Sequence, residues 1–149
     1  MTTEIRQATI RHIDDLLPLV SAYHEFERVA QDAETRRKAI STLLIAPELG
    51  PVWLIHHAGK LAGYIAICLG YSIEFGGRDA FVDEFFLLEP FRGKGIGLEV
   101  LGRVIEALRN DGVKALHLEV GQSNERARAM YEAAGFVLRD QYHLMSCEL

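Results

Sequence analysis

Apolar residues recur along this chain with two periods, and the switches between them lay out its elements. Residues 4–8 alternate as a short strand. Ile13, Leu16, Leu17 and Val20 then share one face of a helix that continues to about Glu27. Pro18 inside that pattern removes a backbone donor, so this helix either starts late or bends there. Asp32 is placed to cap a second helix over residues 33–44, which Pro47 ends. Residues 52–57 and 61–71 return to strand patterning and join across Ala58-Gly59-Lys60 as a hairpin. A second turn, Gly76-Gly77-Arg78-Asp79, leads into a strand over residues 80–88.

The helical period is clearest next. Ile96, Val100, Leu101, Val104, Ile105 and Leu108 form one apolar stripe, and Gly112 suits its stop. Residues 115–120 read as a short strand, 124–134 as a helix ending at Gly135, and 136–138 and 142–148 as two closing strands. With no repeat, low-complexity tract or linker, the 149 residues are expected to make one domain spanning 1–149. The order of elements predicts an α+β fold. Its central sheet is mixed, mostly antiparallel and of about seven strands, with helices on both faces.

Composition narrows the function classes. An apolar fraction of 49% and a charged fraction of 25% are ordinary for a globular chain. A net charge of −5 counts against a general nucleic-acid binder. No apolar run reaches membrane-spanning length, and the first residues lack the apolar core of a secretion signal, so cytoplasmic residence is the default expectation. Cys68 and Cys147 lie in apolar, strand-like runs and are expected to be buried free thiols rather than a disulfide or metal pair. The six histidines show no ligand spacing, and His56 and His57 are adjacent, so no metal is expected.

Arg92-Gly93-Lys94-Gly95-Ile96-Gly97 joins the apolar run 85–88 to the striped helix. A strand, a glycine-rich turn and a helix start make an anion site, because the first amides of the helix point outward without acceptors. Gly93, Gly95 and Gly97 let phosphate approach the backbone, and Arg92 and Lys94 add positive charge. The spacing is not that of a dinucleotide fingerprint, nor does Gly-Lys here precede the Ser or Thr of a Walker loop. It fits Arg/Gln-x-x-Gly-x-Gly/Ala, through Arg92, Gly95 and Gly97.

That signature, and a second block over 124–136 reading Asn-x-x-Ala-x-x-x-Tyr-x-x-x-Gly-Phe, resemble the GNAT superfamily of acetyl-CoA-dependent N-acetyltransferases across essentially the whole chain. Asp83-Glu84-Phe85-Phe86 followed by Arg92-Gly93 is most similar to the diamine and spermidine/spermine acetyltransferases. The resemblance implies the acyl-CoA N-acyltransferase fold, with the fourth and fifth strands splayed around pantetheine. Backbone groups of Leu87 and Leu88 would pair with its amides, and the amides of Gly93, Lys94, Gly95, Ile96 and Gly97 would hold the pyrophosphate, with the Arg92 and Lys94 side chains at the rim. Tyr131 would protonate the departing thiolate, Asn124 would bond the cofactor, and Ala127 would leave room beside it. Asp83 or Glu84 would be the base, with Asp83 slightly favoured; a bulge could exchange which of them faces the site.

The implied reaction moves an acetyl group from acetyl-CoA to a primary amine in a ternary complex, with no metal. A small cationic acceptor such as a diamine or polyamine is favoured, a protein amine or an aminoglycoside being alternatives. A non-catalytic CoA-binding regulatory module is the competing class. Glu25, Glu27, Asp32 and Glu34 could form an acidic rim for the acceptor or simply be solvated helix ends, and Tyr71, Glu74 and Phe75 could wall its pocket or pack. Trp53 is read as core. A homodimer is compatible with the family; nucleic-acid and membrane partners are not expected.

Overall fold

The computed structural model describes residues 2–149. Five strands, β1 Thr3–Gln7, β2 Val52–His57, β3 Lys60–Ser72, β4 Gly77–Leu87 and β5 Ala115–His117, stand side by side in chain order. All neighbours are antiparallel except β4 and β5, which are parallel. Four helices accompany them: α1 Ile13–Glu27, α2 Ala33–Ile45, α3 Ile96–Asn110 and α4 Glu125–Ala133. No described helix is long and apolar enough to cross a membrane.

Local chemistry explains the boundaries. Asp32 caps α2 as expected, its carboxylate accepting the Thr35 amide at 2.8 Å. The β2–β3 hairpin turns on Ala58 and Gly59, both at positive φ, the geometry that matches the twist of the strands it joins. α1 begins at Ile13, so Pro18 sits inside it and the late-start alternative does not hold.

Alternation along the sheet sorts its side chains. Val52, Leu54, Tyr64, Ala66 and Phe86 pack with Ile13, Leu16, Leu19 and Val20 of α1 and Ile40 of α2. The intervening Trp53, Ile55, Ile65 and Ile67 point to the other face and are also buried, which places Trp53 in the core. α3 buries Ile96, Val100, Leu101, Val104 and Leu108 and packs against β1.

The register slips at two places. Between β2 and β3 the pairing passes over Ala62, and between β3 and β4 it runs from Ala66↔Glu84 to Ile67↔Val82. Asp83 is therefore the extra residue of a β-bulge. Near it the strands approach closely: a Cβ on Gly63 would lie 2.0 Å from the Phe86 carbonyl oxygen.

The chain forms two compact units, one ending at Glu119 and the other Val120–Leu149. The first holds the sheet with α1–α3, the second α4. Two expectations are corrected. The sheet has five strands rather than about seven, since 136–138 and 142–148 form no strand and β5 stops at His117 rather than residue 120. An alternating pattern assigns faces but supplies no partner, and a strand exists only where its backbone groups are paired. Cys147 is exposed and Cys68 half-buried, so neither is a fully buried thiol. Helices on both faces were expected; the described packing seats α1 and α2 on one face.

Candidate active site

The parallel pairing of β4 with β5 ends at Phe81↔His117, while β4 continues to Leu87. The Leu88 amide donates to the Ala62 carbonyl at 2.8 Å, toward the β3 side. Successive residues of a strand direct their peptide groups to opposite sides, so those of Leu87 point toward the side that β5 has left. Leu88 therefore spends its amide inside the sheet, and Leu87 is the residue with backbone groups at the open edge.

The glycine-rich turn follows. Gly93 and Gly95 adopt φ of 72° and 78°, the left-handed region that side chains disfavour. Gly95 caps α3 without a side-chain bond, and a Cβ built there meets nothing within 4 Å. The first return bond of the helix runs from Glu99 N to Gly95 O at 3.2 Å, which leaves the amides of Ile96, Gly97 and Leu98 without intrahelical acceptors. Lys94 is exposed. Arg92 is folded back instead of reaching across the turn: its Nε donates to the Leu87 carbonyl at 2.7 Å, and its guanidinium lies 5.1 Å and 5.2 Å from the ring centres of Phe26 and Phe86.

A cavity of about 670 Å³ opens between α1, α2 and the sheet. Its walls are mainly apolar, from residues such as Leu16, Val20, Leu43 and Val52. Its polar lining includes His24, Arg36, Tyr64, Cys68, Asp83 and Glu84. Regular alternation would have sent Asp83 and Glu84 to opposite faces; the bulge turns both to one cavity.

The two carboxylates are held differently. Glu84 accepts the Tyr64 hydroxyl on Oε1 at 2.8 Å and meets His24 Nε2 through Oε2 at 2.6 Å. Arg36 Nε donates to His24 Nδ1 at 3.3 Å, and its Nη2 donates to the Gln31 carbonyl at 2.8 Å. Burial raises the Tyr64 hydroxyl far above an ordinary phenol, with the Glu84 charge second, so it remains a proton donor. Asp83 keeps an exposed side chain, yet the protein crowded around it removes enough water to raise its carboxyl, and Glu84 adds to the rise. Cys68 is raised for the same reasons, burial first, and stays a neutral thiol.

Other expected residues fall elsewhere. Tyr71, Glu74 and Phe75 do not line the cavity; Tyr71 is exposed, and the Phe75 ring packs at a tilt against His117, 5.1 Å between centroids, and His117 meets Asp79 at 3.5 Å. Of the acids at the α1–α2 junction, Asp32 caps α2 while Glu25, Glu27 and Glu34 are exposed; Gln31 and Thr35 line the cavity instead. In the second unit, Asn124 Oδ1 accepts the Ala127 amide at 3.2 Å and so caps α4, and the Tyr131 ring packs edge-on to Phe136 at 5.7 Å. The Asn-x-x-Ala spacing thus has a local reason, since an N-cap side chain reaches the amide three residues on.

Sequence reasoning passed over His24, Arg36 and Tyr64. A signal existed for the first. His24 continues the Ile13, Leu16, Val20 stripe, and a histidine on a buried helix face needs polar partners.

Residues 12–136 match the acetyltransferase (GNAT) family. An uncharacterized N-acetyltransferase of Archaeoglobus fulgidus is 30% identical over 133 residues, covering 86% of this chain and 88% of that protein. The thialysine N-epsilon-acetyltransferase of Mus musculus is 24% identical over 144 residues, covering 90% and 84%. Among solved structures, an integron cassette protein from the mobile metagenome of Cole Harbour Salt Marsh superposes with a TM-score of 0.84 at 33% identity, covering 96% of this chain and 89% of that one.

Proposed function

Because the chain belongs to the acetyltransferase (GNAT) family, we propose that it transfers the acetyl group of acetyl-CoA to a small primary amine bound in the cavity beside Asp83 and Glu84. The observation that carries this reading is the bulge, which turns two adjacent acids into one largely apolar cavity on the strand whose far end has an open edge.

The residues fit the donor. Open space before Gly95 and the three outward amides of the first α3 turn suit a pyrophosphate, and the Leu87 amide at the edge, its carbonyl engaged by Arg92, suits a carbonyl of an amide-bearing chain. Arg92 would keep its aromatic anchor and strengthen the field at that turn. Bound acetyl-CoA supplies the activated acyl group. The chain's own part is proton handling: an ammonium acceptor has no lone pair, so a cavity carboxylate takes its proton before attack. Tyr131 returns a proton to the departing sulfur, a role that rests on the 124–136 block.

The cavity bears on the acceptor. Arg36 and Lys38 line it along with Asp83 and Glu84, so its fixed charges balance. Mostly apolar walls favour an amine with a single charge and an apolar body over an extended polyamine. The diamine and polyamine reading keeps the support of the Asp83–Gly93 segment, and likeness to a thialysine acetyltransferase favours an aminoalkyl group in either case.

Release of free thiol from acetyl-CoA, followed across aliphatic monoamines, aminoalkyl amino acids, diamines and polyamines, tests the proposal. Turnover greatest with an apolar monoamine or aminoalkyl compound is expected. Tight CoA binding without turnover on any amine would favour a CoA-binding regulatory module.

A further inference from the structure

We infer that His24 and Tyr64 lock Glu84 as a fixed ionised acceptor, that His24 is the positioning residue of this lock, and that Asp83 is the carboxylate left to take the acceptor amine's proton. This rests on the acetyl-transfer reading for its chemistry, though the lock itself is geometric.

Arg36 decides which nitrogen of His24 carries the proton. A guanidinium has only donors, so the His24 Nδ1 that receives Arg36 Nε–H at 3.3 Å must present a lone pair. An imidazolium, with hydrogens on both nitrogens, would set two donors against each other. His24 is therefore neutral, and its single proton is on Nε2, 2.6 Å from Glu84 Oε2. The Gln31 carbonyl holds Arg36 from its other side at 2.8 Å, so the junction of α1 and α2 fixes the tautomer. Tyr64 supplies the second donor, to Oε1, and burial keeps its proton in place.

Glu84 thus receives an N–H on one oxygen and an O–H on the other. Each oxygen keeps a second lone pair, but a proton taken there would cancel the charge that strengthens both hydrogen bonds, and the His24 side chain, only 7% exposed, has no water to turn to. Asp83 accepts no side-chain hydrogen bond from the described residues and is exposed at the bulge. The groups around it favour proton uptake. Desolvation is the largest influence; Glu84 on its own strand and Glu119 beyond β5 raise its carboxyl further, and the opposing pull that a charged His24 on α1 would exert is absent in the neutral tautomer. Tyr64 and Cys68 on β3 and Arg36 on α2 line the same cavity. Glu84 has a second task in this arrangement: a fixed negative charge beside Asp83 makes Asp83 a stronger base. The step balances simply. One proton leaves the acceptor's ammonium nitrogen for an Asp83 oxygen, the freed lone pair forms the new bond to the acyl carbon, the carbon–sulfur electrons leave with sulfur, and the second proton that the nitrogen sheds on becoming an amide balances the one the thiolate gains.

Three measurements test this. Long-range ¹H–¹⁵N spectra of the wild-type protein should show His24 Nδ1 without a proton and Nε2 with one; a protonated Nδ1 overturns the lock whatever the enzyme's activity. Carboxyl ¹³C spectra should show Asp83 titrating at lower pH in Glu84→Gln than in the wild type; an unchanged titration overturns the charge coupling. With an accepted amine, Asp83→Asn should lower kcat by about 100-fold or more and abolish the acid limb of the kcat/KM profile. Glu84→Gln should keep that limb, moved to lower pH, and the reverse pattern overturns the assignment. His24→Gln, which keeps an N–H near the Nε2 position, should restore most of what His24→Leu loses. Lack of turnover on every amine, with the His24 tautomer and the Asp83 shift both as expected, would instead defeat the acetyl-transfer reading.

Discussion

Asp83 makes the folded protein less stable at neutral pH, and the direction follows from its environment. Its carboxyl is raised by lost hydration and by Glu84, so the native state binds that proton more tightly than the unfolded chain does. Stability from this group is fully present below the ordinary aspartate value of about 3.9 and is lost as pH rises through the raised folded value. Asp83→Asn should therefore unfold at a higher temperature than the wild type at pH 8, and the two should converge near pH 3, while turnover falls. Calorimetry at the two pH values checks this, and a lower Tm for the variant at pH 8 would contradict the environment described. Tyr64 behaves oppositely. Tyr64→Phe leaves Glu84 Oε1 without its buried donor and should lower unfolding free energy by about 1–3 kcal/mol in urea titrations. On the proposed reaction Asp83 would serve chemistry at the expense of stability, whereas Tyr64 stabilises the fold.

At the level of elements, the glycines divide by task. Gly95 stands at φ 78° before α3 with open space ahead of it. Gly95→Ala introduces only backbone strain; Gly95→Asp adds a negative charge where an anion should bind. Calorimetric titration with CoA should show Asp weakening affinity at least about tenfold more than Ala, equivalent to about 1.4 kcal/mol; equal losses would mean the turn is only a turn. Gly63 serves packing, since a methyl there would strike the Phe86 carbonyl, and Gly63→Ala should destabilise by about 1–3 kcal/mol. These elements also mark how far the sequence could be read. The Asp32 cap, the α3 stripe and the three antiparallel strands were legible because each is decided by residues close in the chain. The Arg92–Gly97 turn was legible for the same reason. The bulge at Asp83 was not, because it is set by the register between β3 and β4 rather than by β4 alone. His24 and Glu84 lie 60 residues apart, so no local pattern could join them. The closing strands failed in the converse way: their alternation was present but their partners were not.

Across the whole molecule, stability should be unevenly distributed between the two units. The first unit holds the sheet, in which Ile55, Ile65 and Ile67 of the central strands are fully buried. The second unit contains one nine-residue helix, α4, with no buried residue, followed by a segment without strand or helix. Amide protection follows paired and buried backbone, so it should separate along the same line. In hydrogen exchange, amides in the middle of β3 and β4 should open only with global unfolding, whereas those of 136–149 should exchange orders of magnitude faster. Apolar residues complicate that expectation, because Val137, Tyr142, Leu144 and Met145 are all exposed and would lower the free energy of any state that covered them. The measurement separates the two cases. Rapid exchange through 142–148 at all protein concentrations confirms the backbone as described; protection that alternates along 142–148 would show strand pairing there. Protection that rises with protein concentration would place the pairing partner on a second copy of the chain, since only an intermolecular contact responds to mass action.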